Sequence, residues 1–325
     1  MPPALFAIFA MPLLVLAVPS ATVQAADAPY PVRPMRIVSG FPAGGNTDII
    51  ARSMAQKLTE RMGQQVIVEN RPGAGSMLGT EYVARATPDG YTLLLVSGAM
   101  TTQAAVMKKL PFDAARDFAY ISNAVTYPFV VVVKPDAPMQ NVTDLIAVAK
   151  KSPGKLNYAS VGIGSVFHLG TELFNAMAGV DMVHVPYKGG SEHMIALMTG
   201  RIDVVFDTLT GAFPHLQAGR MRALAVTSIE RAPMLPNIPT VAQTLPGYDV
   251  TSFSGFAAPR ATPPERVTRL NREMRAALND ADIRKRFIEL GGGVLPTTPE
   301  EFTRHVMSEI DKWRKIAVAK KIEIQ

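Results

Sequence analysis

From Met35 onward, short β-branched runs alternate with stretches whose apolar residues recur every three or four positions. That alternation predicts a largely parallel sheet with helices on both faces. Residues 35–38 read as the first strand and 41–48 as a loop. Ile50, Met54, Leu58 and Met62 then repeat every four residues, which predicts a helix, and Gly63 ends it. Residues 65–69 give a second strand. A Gly-rich connection over 71–76 leads into a helix ending near Ala86, and Thr87-Pro88-Asp89-Gly90 turns the chain into a strand over 91–96. Together these form a βαβαβ unit.

The same grammar restarts after Val133-Lys134-Pro135. It predicts a helix over 142–150, a strand over 156–159, a Gly-Ser loop, a helix over 166–177 and a strand over 183–185. A helix around 194–198, a strand over 202–206, a helix near 213–216 and a strand over 222–226 follow, and the chain returns through 251–256. Two later helix starts are marked by Thr262-Pro263-Pro264-Glu265 and Thr298-Pro299-Glu300-Glu301, each with a capping Thr, a Pro at the first helical position and a Glu at the third. The fold class expected is α/β, with two Rossmann-like lobes: a first over 26–127, a second over 128–251, and a return to the first with C-terminal helices over 252–325. Two crossings, near 125–131 and 250–256, are expected to act as a hinge.

Composition supports sizeable cores, since 48% of the 325 residues are hydrophobic and only 18% charged, too much for a single small domain. Residues 1–25 carry no charged side chain and are apolar over 4–18 apart from Pro12, the h-region of a secretory signal, with Val23-Gln24-Ala25 suited to cleavage after Ala25. Met1-Pro2-Pro3 lacks a basic n-region, so either the amino terminus supplies the charge or the true start lies upstream. The apolar run falls short of the roughly 20 residues a membrane span needs, so export to the periplasm of a soluble mature protein is expected. The absence of cysteine removes disulfides, a thiolate nucleophile and Cys-based zinc sites. The net charge of +6 suits small anions in general. The clusters Arg284-Lys285-Arg286 and Lys320-Lys321 read as solvated helix faces, and no nucleic-acid partner is expected.

Two strand-loop-helix junctions hold the candidate chemistry: Phe41-Pro42-Ala43-Gly44-Gly45-Asn46-Thr47-Asp48, and the segment running from Ser160 through Gly162, Gly164 and Ser165 to His168. Glycines let backbone amides approach a ligand, and a helix amino end carries about half a positive charge, so each junction suits an anion. Neither contains Lys or Arg, so a carboxylate would be held there by amides, hydroxyls and water. The competing reading is a pair of tight turns that need glycine for backbone reasons alone. No Gly-Lys-Ser/Thr sequence makes a phosphate loop, and Gly162-Ile163-Gly164-Ser165-Val166-Phe167 lacks the third glycine of a dinucleotide fingerprint.

Ser165, His168 and Asp207 supply the residue types of a hydrolytic triad. The Gly-x-Ser-x-Gly elbow is absent, however, and Ser165 stands three residues before His168 at one helix start, where it suits an N-cap or a ligand hydroxyl. No catalytic residue is expected. The five histidines show no metal-ligand spacing, so no metal or cofactor is expected either, and His168 is the one placed at a site. Asp48 reads as a cap turned toward backbone amides, and Asp207 as either a cap or an acceptor for ligand hydroxyl or amine groups.

Nine blocks in order carry a resemblance that runs from about Tyr30 to the C-terminus. They include Tyr30-Pro31-Val32-Arg33-Pro34, Phe41-Pro42-Ala43-Gly44-Gly45, Val68-Glu69-Asn70-Arg71-Pro72-Gly73, Pro88-Asp89-Gly90-Tyr91, Lys109-Leu110-Pro111-Phe112-Asp113, Val183-His184-Val185-Pro186-Tyr187 and Pro236-Asn237-Ile238-Pro239-Thr240. The chain thereby resembles the solute-binding subunits of tripartite tricarboxylate transporters, the TctC-like or Bug proteins. The resemblance implies a type II periplasmic-binding-protein fold and capture of a small carboxylate, an organic acid, between the lobes. It points to Pro42, Ala43, Gly44, Thr47 and Asp48 in the first loop, to Ser97 and Gly98 after the third strand, and to Ser160, Gly164, Ser165, His168 and Asp207 in the second lobe, with Lys188 a weaker candidate.

Many relatives carry glycine where this chain has Asn46 and Asn-Pro where it has Gln103-Ala104, so a relative's ligand is not transferred. Implied partners are integral-membrane transporter subunits or, alternatively, a membrane sensor that reads occupancy, with the protein itself a monomer. Tyr91, Tyr127, Phe129, Phe167 and Tyr187 near predicted strand or loop ends keep an aromatic acid among the candidates, beside dicarboxylates, tricarboxylates and amino acids.

A bulky residue at Gly44 or Ser165 is expected to abolish ligand-induced closure and leave the fold intact, because both positions read as loop mouths outside the core. Unchanged ligand affinity in either variant, measured by calorimetry, would contradict this cleft geometry.

Overall fold

A computed structural model of the chain describes residues 30–188, 191–320 and 322, and the expected signal segment over 1–25 lies outside these. In chain order the elements are β1 (Met35–Ser39), α1 (Asn46–Met62), β2 (Val66–Asn70), α2 (Met77–Ala84), β3 (Thr92–Ser97), α3 (Gly98–Val106) and β4 (Phe118–Val133). There follow α4 (Val142–Lys151), β5 (Asn157–Ser160), α5 (Val166–Ala178), β6 (Val183–Pro186), α6 (Glu192–Met198), β7 (Val204–Thr208), α7 (Leu209–Gln217) and β8 (Arg222–Val226). The chain closes with β9 (Thr251–Pro259), α8 (Pro264–Leu278), α9 (Ala281–Glu289), β10 (Gly293–Val294) and α10 (Pro299–Ala319).

The strands form one mixed sheet in the order β2-β1-β3-β9-β4-β7-β5-β6, with β8 and β10 also paired to β4. β1 is parallel to β2 and β3, and β5 is parallel to β6 and β7, as expected where helices join consecutive strands. β9 and β4 run antiparallel between these two parallel groups. β4 has 16 residues, far beyond the usual strand of about 5–6. Its first part, 118–128, pairs with β9, and its last part, 129–133, pairs with β7 and β8. The change of partner falls at Pro128, which has no N–H to offer a ladder and faces Thr251 at the very start of β9. Phe129 then donates its N–H to Thr227 Oγ1 and accepts from Thr227 N.

Each half of the sheet has its own core. In the first, Val38, Leu94, Val96, Phe118, Tyr120 and Phe253 are buried with Phe302 of α10. Phe302 meets Tyr120 and Phe253 edge-on at 5.5 and 5.8 Å, the geometry that aligns ring edge with ring face. Gly255 in β9 permits this, because a Cβ there would overlap the Phe302 ring. In the second half, Val130, Val132, Ala159, Leu197, Val205 and Leu209 are buried together. The C-terminal helices return to the first half, α8 against α1 and β4, α10 against α3 and β4.

Three local readings need correction. α3 was not anticipated. It follows β3 without a loop, and its Thr101, Thr102 and Gln103 are completely buried, so the segment has no polar face and no amphipathic period to read. α7 begins at Leu209, directly after β7 and four residues before the apolar stretch that suggested it. At α8 the cap is Pro263, not Thr262: the ring of Pro264 disfavours helical dihedrals at the residue before it, and Pro263 is extended at φ −51°, ψ 132°. Thr262 is buried with its hydroxyl unpartnered. At α10 the expected cap is present as a full capping box, Thr298 Oγ1 accepting from Glu301 N at 3.2 Å and the Glu301 carboxylate accepting from Thr298 N at 2.8 Å.

These two threonines therefore make a matched pair. Thr298→Ala is expected to lower the unfolding free energy by about 1 kcal/mol in urea titrations, whereas Thr262→Val, which replaces an unpartnered buried hydroxyl by a methyl, leaves it unchanged or slightly higher. Equal losses in the two variants would contradict the cap assignment.

Candidate ligand-binding site

Four helices each continue from the carboxyl end of a strand, β1 into α1, β3 into α3, β5 into α5 and β7 into α7, and because the β1-β3 pair runs opposite to the β5-β7 pair, these carboxyl ends meet near the middle of β4. The amino ends of the four helices surround a cavity of about 410 Å³. α1 contributes Gly44, Gly45, Asn46 and Thr47; α3 contributes Ser97 and Ala99; α5 contributes Ser165, Val166 and Phe167; α7 contributes Thr208, Thr210 and Gly211. The apolar wall includes Phe41, Tyr127, Phe129, Phe167, Met194 and Pro214. Phe129 packs edge-on against Phe167 at 4.9 Å and against Tyr127 at 6.2 Å. Among the described residues the lining includes one acidic side chain, Asp207, and no Lys or Arg.

The first loop is shaped from behind. Gly44 takes φ +84°, a left-handed conformation that favours glycine, and its amide donates to Asp48 Oδ2 at 3.0 Å. The same carboxylate accepts from Arg52 Nε at 2.8 Å and from Asn70 Nδ2 at 2.9 Å, and Asp48 is only 3% exposed. Burial alone would raise its pKa. The hydrogen bonds from Arg52, Gly44 and Asn70, with the Arg52 charge, outweigh that and hold the carboxyl below its ordinary range. Gly45 precedes α1 in an extended conformation without a side-chain cap, and Ser97 precedes α3 without one either. The first-turn amides of these two helices are thus left without side-chain acceptors.

The second loop is shaped by a buried ring stack. His168 and His184 lie parallel with centroids 4.0 Å apart, and Tyr158 stacks on His184 at 5.0 Å. Gly164 N donates to His168 Nδ1 at 3.2 Å, and Ser160 Oγ lies 2.6 Å from His184 Nε2. Burial, with a smaller contribution from His184, pushes His168 down to about 3, and burial pushes His184 down to about 4, so both rings are neutral at pH 7. The loop also touches the first half of the sheet, where Thr102 Oγ1 donates to Gly164 O at 2.5 Å.

Of the twelve residues singled out from the sequence, Pro42, Ala43, Gly44, Thr47, Ser97, Ser165 and Asp207 line the cavity. Asp48, Gly98, Ser160, Gly164 and His168 stand behind the lining and bond or pack within the loops and helix starts themselves. Lys188 is exposed and outside the lining. The triad types are not assembled, since Asp207 Oδ2 pairs with His193 Nε2 at 2.8 Å and His168 takes its bond from Gly164. Ser165 does not lie outside the core. It is 1% exposed, donates to Gly162 O at 2.7 Å and accepts from His168 N at 3.3 Å, so a bulky residue there would disturb the fold and Gly44 is the cleaner test. Asn46, noted in the sequence as a departure from relatives, does line the cavity, and unforeseen lining residues include Ser191, His193, Thr208, His215 and Ser252. His193 had no local signal, because its partner lies on β7, beyond the intervening helix and turn.

Residues 50–322 match the family model described as the tripartite tricarboxylate transporter family receptor. The chain is 38% identical over 307 residues to a protein encoded in the tcbD-tcbE intergenic region of Pseudomonas sp. (strain P51), covering 94% of this chain and 91% of that one. Among solved structures, R. palustris Rpa4515 with adipate is similar with a TM-score of 0.87 and 36% identity, covering 90% of this chain and 99% of that one. MatC (Rpa3494) from Rhodopseudomonas palustris with bound malate is similar with a TM-score of 0.84 and 31% identity, covering 88% and 99%.

The Asp48 network carries its own expectation. Asp48→Asn removes the charge that holds Gly44 and Arg52 and is expected to cost about 1–3 kcal/mol of stability at pH 7. Because the folded carboxyl titrates below its ordinary range, its contribution is present above about pH 4 and is lost as pH falls through the lower folded value. Unfolding curves of wild type and variant should therefore converge toward pH 3, and a gap that stays constant with pH would contradict the assignment.

Proposed function

We propose, from the premise that this chain belongs to the tripartite tricarboxylate transporter receptor family, that it captures a small organic acid in the periplasm and presents it to a membrane transporter. Members of this family are solute-binding proteins, not enzymes. The observation that carries the carboxylate reading is the convergence of four helix amino ends on a cavity whose described lining holds no Lys or Arg. The magnitudes fit that arrangement. One helix end contributes roughly 0.3–1 kcal/mol, up to about 2 when partly buried, whereas micromolar binding needs about 8 kcal/mol. Hydrogen bonds to a charged group, each about 1.5–3 kcal/mol, must therefore reach the ligand from several helices together. Adipate and malate in the two similar structures are both carboxylates, which supports the same class here.

In this reading Pro42, Ala43, Gly44, Thr47, Ser97, Ser165 and Asp207 face the ligand. Asp48, Gly98, Ser160, Gly164 and His168 set the loops that do so. The lobes comprise 26–127 with 252–325, and 128–251, and they move about the middle of β4 and the start of β9. The segment over 1–25 directs export, and the mature protein works as a monomer with integral-membrane subunits as its partners.

A thermal-shift screen of ligand-stripped protein against about a hundred carboxylates tests the class. A ligand at a hundredfold its Kd adds about 2.7 kcal/mol, which raises Tm by several degrees. A shift confined to one chemical class of acids is the expected result, and no shift with any acid would overturn the carboxylate reading.

A further inference from the structure

We propose that Asp207 makes the cavity selective for acids with a single carboxylate, by facing the far end of the ligand, where it favours a hydroxyl or ammonium group and opposes a second carboxylate. The proposal rests on the carboxylate reading above and deepens it. Its basis is the uneven distribution of charge around the cavity. At α1 and α3 the helix starts have no side-chain cap, and the nearest carboxylate, Asp48, is turned behind the loop onto Gly44, Arg52 and Asn70. On that side the start of α3 has no side-chain acceptor, and at α1 the first-turn Asp48 is itself paired with Arg52 and turned away from the cavity.

At α7 the protein supplies its own anion. Asp207 ends β7 next to the helix start, 4% exposed, with Oδ1 accepting from Thr208 N at 2.5 Å and from Thr208 Oγ1 at 3.2 Å, and Oδ2 accepting from His193 Nε2 at 2.8 Å. Thr208 Oγ1 in turn accepts from Gly211 N at 3.3 Å. The amino end of α7 is thus answered internally. The carboxylate also borders the cavity, since Asp207 is among its lining residues, and it packs beside Gly211, where a Cβ would stand 3.3 and 3.4 Å from its two oxygens. Oδ2 has one donor and keeps room for another.

Beyond its hydrogen bonds from His193 and Thr208, no Lys or Arg of the described lining offsets this charge. His193 and His215 are the titratable groups beside it. Burial, with Arg220 nearby, holds His215 below the ordinary histidine range against the opposing pull of Asp207. A second ligand carboxylate at this end would meet like charge in a low-dielectric pocket, whereas a hydroxyl or ammonium would find an acceptor. Phe129, Phe167 and Met194 leave the ligand's middle an apolar surface.

The test is calorimetric titration of ligand-stripped protein at pH 8 with matched acids of four, five and six carbons, each as the plain monocarboxylate, the ω-hydroxy acid, the ω-amino acid and the dicarboxylate. Benzoate, 4-hydroxybenzoate and terephthalate form an aromatic set. At the length or ring that binds best, the hydroxy or amino acid should bind about tenfold or more tighter than the dicarboxylate. Asp207→Asn, checked for native circular dichroism, should erase most of that preference by strengthening dicarboxylate binding. A dicarboxylate that binds wild type as tightly as its hydroxy or amino counterpart overturns the proposal and leaves the carboxylate reading standing. Binding by none of these acids overturns both. The ranking on wild type decides the matter even where the variant does not fold.

Discussion

The handover from strand to helix is the constraint on which the cavity depends. β3 passes into α3 and β7 into α7 with no intervening residue, so Ser97 and Thr208 each end a strand and stand at a helix start at once, Thr208 capping α7 with its side chain and Ser97 leaving α3 uncapped. β1 and β5 instead reach their helices through Gly-rich loops, residues 40–45 and 161–165. The first kind of junction fixes the helix axis to the sheet. The second lets backbone approach the cavity, and it is paid for by left-handed glycines at 44, 162 and 164. The site thus combines two rigid walls with two loops, and each loop is held from behind by a polar network, Asp48 in one and the His168–His184 stack in the other.

β4 links this arrangement across the molecule. Because the strand changes partner at Pro128, the residues flanking that change, Tyr127 and Phe129, stand where the two halves of the sheet meet, and both line the cavity. A second set of contacts joins the halves away from the strand. Thr102 reaches Gly164, and a Cβ on Gly162 would lie 3.2 Å from Gly75 Cα. Gln103 Nε2 donates to Ala74 O and Gly75 O and so clamps a segment in which Ala74 and Ser76 hold positive φ, a conformation costly for residues with side chains. Gln103, noted in the sequence as a departure from relatives, lies outside the cavity lining and serves this clamp.

What was legible in the sequence was whatever had a local cause. The four-residue period of α1, its stop at Gly63 and the capping box at Thr298 depend on neighbours within one or two turns, and the structure has each of them. The two anion-suited loops were legible for the same reason. Facing direction was not. Ser160 and His168 turn toward His184, and Asp207 toward His193, because partners 14 to 24 residues away complete their hydrogen bonds and ring contacts. α3 escaped notice because a helix buried on every side carries no periodic contrast, and Thr262 misled because the second proline of Pro263-Pro264 moves the helix start by one residue.

The absence of Lys and Arg from the described lining follows from the same economy of burial. A guanidinium in a pocket that stands empty would be a buried charge without a partner, which costs several kcal/mol after relaxation. Uncapped helix ends and hydroxyls carry only partial charges, so they remain tolerable when nothing is bound and still converge on an anion when one arrives. The one full charge in the described lining, Asp207, is tolerated because His193 and Thr208 satisfy it within the protein. In the proposed reading, a cavity built this way separates attraction from discrimination: the helix ends draw in a small anion of suitable size, and the acidic side chain of the described lining, Asp207, with its aromatic surroundings governs what the rest of that anion can carry.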